Sequence, residues 1–289
     1  LTAESKQKSE AVNDMKAVRV RSPEDRTFCI KMLKKHGSCN LYLFEGISEP
    51  NSRSESVRII DGRETVGIVH TRNGSYVHLF LRNGLSTDLY SRICRYVFRR
   101  FSHASVLFGD RESIEKLPSV PGVAFERMRD FLFMEVRRGR FTPVPCEKAV
   151  EPTGEKADQL ASLQIGYEIE ELGVRSTEIS RKRTEAVVRR RIERGEVTAV
   201  YEGETPVAFA SVNARFERTC QIGSVYVVPA YRGKGYGKAI VSAHLARLFD
   251  RYERVVLFVK KTNTHAIHVY TALGFLVQGE LVQVSVSRT

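Results

Sequence analysis

The chain has 289 residues, enough for two domains that each bury a core, and its 42% hydrophobic and 28% charged content is that of a globular protein rather than a disordered one. Lys and Arg outnumber Asp and Glu by 46 to 34, a net charge of +12 that suits nucleic acid, acidic partners or a polyphosphorylated cofactor without choosing among them. The longest apolar stretches, such as Val255 to Val259, are strand-sized, which excludes a membrane-spanning helix, and the five scattered cysteines form no CxxC pair and no zinc-like spacing.

In chain order, the polar start LTAESKQKSEAVNDMK predicts a disordered leader over residues 1–18, and the cysteines read as reduced cytoplasmic thiols. A helix follows over Glu24 to Lys35. Strands at Ser56–Ile60, Thr65–Thr71 and Ser75–Leu81 are joined by Asx-Gly turns at Asp61-Gly62 and Asn73-Gly74. Periodicity then gives a helix over Thr87–Arg100, a strand at Ala104–Phe108, a helix at Arg111–Lys116 and an apolar run from Phe125 to Val136. Prolines and glycines cluster next, placing a linker at 139–152 between domains at 19–138 and 153–289.

Beyond it, a helix over Lys156–Leu172 and a basic helix in RKRTEAVVRRRIER precede strands at Val197–Glu202, Val207–Asn213 and Gln221–Val228. A helix at Gly235–Phe249, a strand at Arg254–Lys260, a helix at Thr264–Leu273 and a strand near Phe275–Val286 complete the chain. Both halves read βββαβαβ, an α+β order with a mixed, mostly antiparallel sheet flanked by helices, and suggest a tandem duplication. The arginines of the basic helix fit a solvated face, an acidic substrate or an RNA or ribosome surface.

The segment VYVVPAYRGKGYGKA, from Val225 to Ala239, places a glycine-rich turn between a β-branched strand and an amphipathic helix. That is the geometry of a phosphate cradle, with the free N–H groups of the first helical turn aimed at an anion. It is not a Walker loop, because Ala239 follows Gly237-Lys238 where Ser or Thr is required, and its GxGxG spacing is not the GxGxxG of dinucleotide folds. What it matches is RxxGxG at Arg232, Gly235 and Gly237, followed downstream by Asn263, Ala266, Tyr270 and Leu273-Gly274-Phe275. In these two motifs residues 153–289 resemble the GNAT superfamily of N-acetyltransferases.

The resemblance implies an acetyl-CoA-dependent N-acetyltransferase acting on an amine of a small molecule, protein or peptide by direct attack in a ternary complex, with no metal. It implies that the backbone of Val225, Tyr226 and Val227 pairs with the pantetheine arm. It also implies that Arg232, Gly233, Lys234, Gly235, Tyr236, Gly237 and Lys238 form the pyrophosphate loop, and that Asn263 contacts the cofactor. Tyr270 would be the general acid, a backbone N–H near Val227 the oxyanion donor, and Glu168, Glu170 and Glu171 the candidate bases. His244 lies on the apolar stripe with Val241, Leu245 and Leu248 and reads as a core-edge residue. The first half lacks RxxGxG after its third strand and reads as a degenerate, non-catalytic GNAT-like domain. The same motifs also fit an acyl-CoA sensor without turnover, and a homodimer is a further expectation.

Overall fold

The computed structural model describes residues 15–37, 39–51 and 53–288. The chain falls into two compact units, one formed by residues up to Met128 together with those from Val282, the other by Arg129–Leu281. These limits differ from 138 and 153, because the expected boundary follows the proline-rich stretch whereas the units follow strand pairing.

In the first unit, β1 (Met15–Arg19), α1 (Pro23–Lys35), α2 (Leu41–Ser48), β2 (Glu55–Asp61), β3 (Glu64–Thr71) and β4 (Tyr76–Leu81) are followed by α3 (Thr87–Arg100), β5 (Val106–Asp110) and α4 (Arg111–Glu115). The strand β6 (Val123–Arg137) then leads into the second unit. Strand β1 takes up residues 15–18 of the expected leader, paired antiparallel to β2. Helices α1 and α3 begin where Ser22 and Ser86 accept hydrogen bonds from Asp25 N (3.1 Å) and Leu89 N (3.2 Å). Val57, Ile59, Leu79 and Leu107 of the sheet meet Leu89, Ile93 and Val97 of α3 in one core.

The first unit's last strand comes from the end of the chain. Within β12 (Leu276–Arg288), Val282, Val284 and Val286 join this core beside β5. The Arg288 guanidinium donates to the Phe98 and Ser102 carbonyls (both 2.9 Å) at the C-terminal end of α3, where a cation satisfies orphan acceptors.

The second unit holds β7 (Ala149–Val150), α5 (Ala157–Tyr167) continued by a π-helical turn Glu168–Leu172, α6 (Arg181–Glu193), β8 (Val197–Glu202), β9 (Thr205–Phe216) and β10 (Thr219–Val227). It continues with α7 (Tyr236–Leu248), β11 (Arg254–Lys260) and α8 (Thr264–Ala272). Its sheet runs β6-β11-β10-β9-β8-β7, and all of β11 pairs antiparallel with Phe131–Arg137 of β6. Alternation sorts the side chains onto two faces. Val197, Ala199, Phe209 and Tyr226 pack under α5 and α6, while Val200, Ala208, Ala210 and Ile222 pack under α7. The two units are mixed α/β, as the element order predicts.

Candidate functional site

Strand β10 runs parallel to β11 only at its start, where Thr219, Cys220 and Gln221 face Arg254, Val255 and Val256. Past that register β11 stays with β6 and β10 stays with β9, so the two strands part. The divergence begins beside a bulge, with a register shift between Gly223 and Tyr226 and Ser224 at φ 49°. At the far end Val228 N donates to Val207 O across to β9 (2.9 Å). Antiparallel alternation then turns the N–H and C=O of Val227 away from β9, toward the open side between β10 and β11.

Beyond β10, a 3₁₀ turn at Pro229–Tyr231 leads through Arg232 to Gly235, the N-cap of α7. Gly233 and Gly235 adopt φ 76° and 86°, the left-handed region that glycine enters without strain. A Cβ at either would meet no atom within 4 Å, so conformation requires glycine here while the space above the loop stays open. No side chain caps α7, and the first bond of the helix is Ala239 N to Gly235 O (3.1 Å). The N–H groups of Tyr236, Gly237 and Lys238 are therefore left at the positive end of the helix dipole. A splayed strand pair ending on uncapped helical N–H groups fits an elongated ligand with an amide-bearing arm and an anionic head.

The expected site residues fall into separate roles. Lys234 donates to Ala230 O (3.1 Å) and stands over the Tyr231 ring at 5.2 Å. The Tyr236 hydroxyl bonds Glu202, which also holds Lys148 at 2.7 Å. Asn263 uses its Oδ1 to accept from Ala266 N (3.1 Å) and so caps α8, a role its position in the motif does not reveal. Arg232 turns back from the loop: its Nε donates to Val227 O (3.0 Å) and its Nη2 to Glu170 Oε2 (2.5 Å).

The three glutamates of the π-helical turn are likewise distinct. Glu168 accepts from Gln164 Nε2 (2.9 Å), Glu170 from both the Tyr226 hydroxyl (2.5 Å) and Arg232, and Glu171 from Lys260 Nζ (3.0 Å) at the end of β11. Burial tends to raise the Glu170 carboxyl, but the hydrogen bonds from Tyr226 and Arg232 and the guanidinium charge outweigh it and hold the group below the usual carboxylate range. Burial, then the bond to Glu170, pushes Tyr226 up to about 12. Tyr270, on α8, is 9% exposed, packs at a tilt against Phe275 with ring centroids 5.7 Å apart, and has its acidity weakened by burial and then by the charge of Glu171. The same influence that weakens it as an acid keeps it protonated at neutral pH.

His244 is completely buried, with Nδ1 2.9 Å from Thr198 Oγ1, and burial lowers it to about 3, so it is a neutral core residue. Sequence reasoning missed Gly166, at which a Cβ would stand 2.8 Å from the Tyr226 hydroxyl oxygen. It also missed Asn213, whose amide lies where a Gly223 side chain would begin, 2.1 Å from the ideal Cβ.

The first unit has the corresponding strands but not the opening. Strands β4 and β5 pair in parallel from Tyr76–Val106 to Leu79–Gly109, over most of their length. The Ser113 hydroxyl accepts from Leu81 N (3.1 Å) and donates to Leu81 O (3.3 Å), closing the end of β4.

A mixed sheet with a splayed parallel pair, and a glycine loop opening a helix at the splay, define the fold of the second unit. Residues 166–275 match the sequence profile of the "Acetyltransferase (GNAT) family", and this segment belongs to that family. A mycothiol acetyltransferase of Salinispora arenicola is 47% identical over 60 residues, 19% of this chain and 20% of that protein. A spermine/spermidine N(1)-acetyltransferase of Bacillus subtilis is 39% identical over 59 residues, 19% of this chain and 38% of that one. The matched stretch thus spans about a fifth of the mycothiol acetyltransferase. A tandem GNAT protein from the clavulanic acid biosynthesis pathway superposes with a TM-score of 0.59 at 15% identity, covering 95% of this chain and 98% of that one, a likeness of fold.

Proposed function

We propose that the second unit transfers the acetyl group of acetyl-CoA to a primary amine of a small molecule, protein or peptide by direct attack in a ternary complex. The observation that carries this reading is the parting of β10 from β11 after Gln221 and Val256, directed at the uncapped start of α7. The open edge of β10 offers the pantetheine amides a strand to pair with, as in β-augmentation, and the loop N–H groups with Lys234 and Lys238 suit the pyrophosphate.

In the reaction the amine nitrogen bonds to the thioester carbon, the carbonyl oxygen takes the charge beside the backbone N–H near Val227, and the C–S bond then breaks. The thiolate receives its proton from Tyr270, and the amine loses one to a carboxylate. Among the three candidates Glu171 is the one whose charge acts on Tyr270, and only its Oε2 is held, by Lys260. We assign it the base role ahead of Glu168 and Glu170. The name of the Bacillus relative, an N-acetyltransferase of amines, agrees with an amine acceptor.

The first unit serves as a non-catalytic GNAT-like domain, a reading supported by the pairing of β4 with β5 and by the Ser113 closure at the end of β4. The test is thiol release from acetyl-CoA across polyamines, amino acids, aminoglycosides and peptides. Tyr270→Phe should reduce turnover about 10²–10⁴-fold with little change in acetyl-CoA affinity. Unaltered turnover would remove Tyr270 from the mechanism, and tight cofactor binding without turnover on any amine would favour a sensor.

A further inference from the structure

We propose that Glu170 is a positioning residue which fastens the end of β10 to the first residue of the glycine loop, and so sets the acyl-CoA seat instead of accepting the amine proton. The proposal rests on the acyl-CoA reading of the second unit. Each oxygen of its carboxylate is committed: Oε1 to the Tyr226 hydroxyl and Oε2 to Arg232 Nη2, both at 2.5 Å. Arg232 adds a donation from Nε to Val227 O at 3.0 Å and lies over the Tyr226 ring, 5.4 Å from its centroid.

The contacts close a ring through Tyr226, Glu170, Arg232 and Val227, two of them neighbours on the strand that carries the open edge. An isolated ion pair with side chains 38% and 48% exposed would contribute little. Here the pair is one side of a ring whose other sides are a phenol bond, a cation–π contact and a backbone carbonyl, so loss of the carboxylate frees both the tyrosine and the arginine. Gly166 belongs to the same device, since only a residue without a Cβ lets the Tyr226 ring reach Glu170.

Glu170 is also poorly suited to be the base. A carboxylate receiving two charge-assisted or phenolic hydrogen bonds is less basic than a free one, and its depressed proton affinity agrees. Glu171, the next residue, lacks such a double tether.

The experiment is calorimetric titration with acetyl-CoA, paired with initial rates on a responsive amine over pH 6 to 9, for wild type, Glu170→Ala, Glu170→Gln and Tyr226→Phe, each checked for folding by its thermal midpoint. Glu170→Ala and Tyr226→Phe should weaken acetyl-CoA binding about five- to tenfold, while the maximal rate stays within about threefold and the shape of the pH profile is kept. Glu170→Gln, which keeps an acceptor oxygen for Arg232, should recover part of the affinity. Should Glu170→Ala fail to fold, Glu170→Gln and Tyr226→Phe carry the comparison. A maximal rate lowered a hundredfold or more in Glu170→Gln, with acetyl-CoA affinity kept, would make Glu170 the base and overturn the proposal. Affinities equal to wild type in the folded variants would overturn it too. A wild type that binds no acetyl-CoA overturns the acyl-CoA reading and this proposal together, an outcome distinct from the other two.

Discussion

Gly166→Ala is a substitution whose sign the structure reverses. Gly166 lies within α5, where replacing glycine by alanine ordinarily stabilises by about 1 kcal/mol. At this position the new Cβ would stand 2.8 Å from the Tyr226 hydroxyl oxygen, 2.9 Å from Cζ and 3.1 Å from Cε1. The ring has to move, and overpacking of this kind costs about 1–3 kcal/mol. Moving it also gives up the bond to Glu170, with about 1–2 kcal/mol at stake for a charged acceptor that is partly exposed to solvent. Against the helix gain of about 1 kcal/mol, the sum is a net destabilisation of about 1–4 kcal/mol. For a unit of this size that lowers the midpoint of thermal unfolding by roughly 3–12 °C. Differential scanning calorimetry of the two proteins reads it directly. A midpoint raised by the substitution would show that Tyr226 does not rest on Gly166, and would refute the packing from which the Glu170 ring is built.

Three further outcomes follow from the two units and their buried groups. Calorimetric titration should give one acetyl-CoA per chain, unchanged by Ser113→Ala; two sites would contradict the closed β4–β5 pair. Tyr270 must be protonated to act and is held above its ordinary range by burial and Glu171, so rate should rise with pH as the amine deprotonates and show no descending limb up to about pH 10. A fall in rate near neutral pH would point to another acid. His70 and His244 are buried and neutral, lowered to about 4 and about 3 by burial and then by a neighbouring arginine. The stability from keeping them neutral is complete above their unfolded value near 6.5 and is lost as pH falls below it, by about 2 kcal/mol per ring at pH 5. A thermal midpoint constant between pH 7.5 and 5 would refute it.

The strands and helices with clear periodicity were legible because burial on one face leaves a repeating mark: β8, β11 and α3 fall on the residues the pattern marks. The short α2 was not, since Leu41, Leu43, Phe44 and Ile47 are buried together and erase any period. Strand β1, with one partly buried residue followed by exposed ones, has too little apolar surface to register. Nor does periodicity say which unit a strand joins, so the use of Phe131–Arg137 beside β11, and of Val282 to Val286 in the first core, appears only in the pairing. At the site, the loop was readable because glycine at positive φ and an uncapped helix are local requirements. The contacts of Glu170 with Tyr226 and Arg232, 56 and 62 residues away, depend on how distant elements meet and leave no local trace.

The most direct test of the central claim is continuous detection of coenzyme A thiol from acetyl-CoA, with mass analysis of the amine, for wild type and Tyr270→Phe. The account predicts thiol release that depends on an amine, stoichiometric acetylation of that amine, and a rate reduced by about two orders of magnitude or more in the variant while acetyl-CoA still binds. A wild type that neither binds acetyl-CoA nor acetylates any amine of the panel would contradict it.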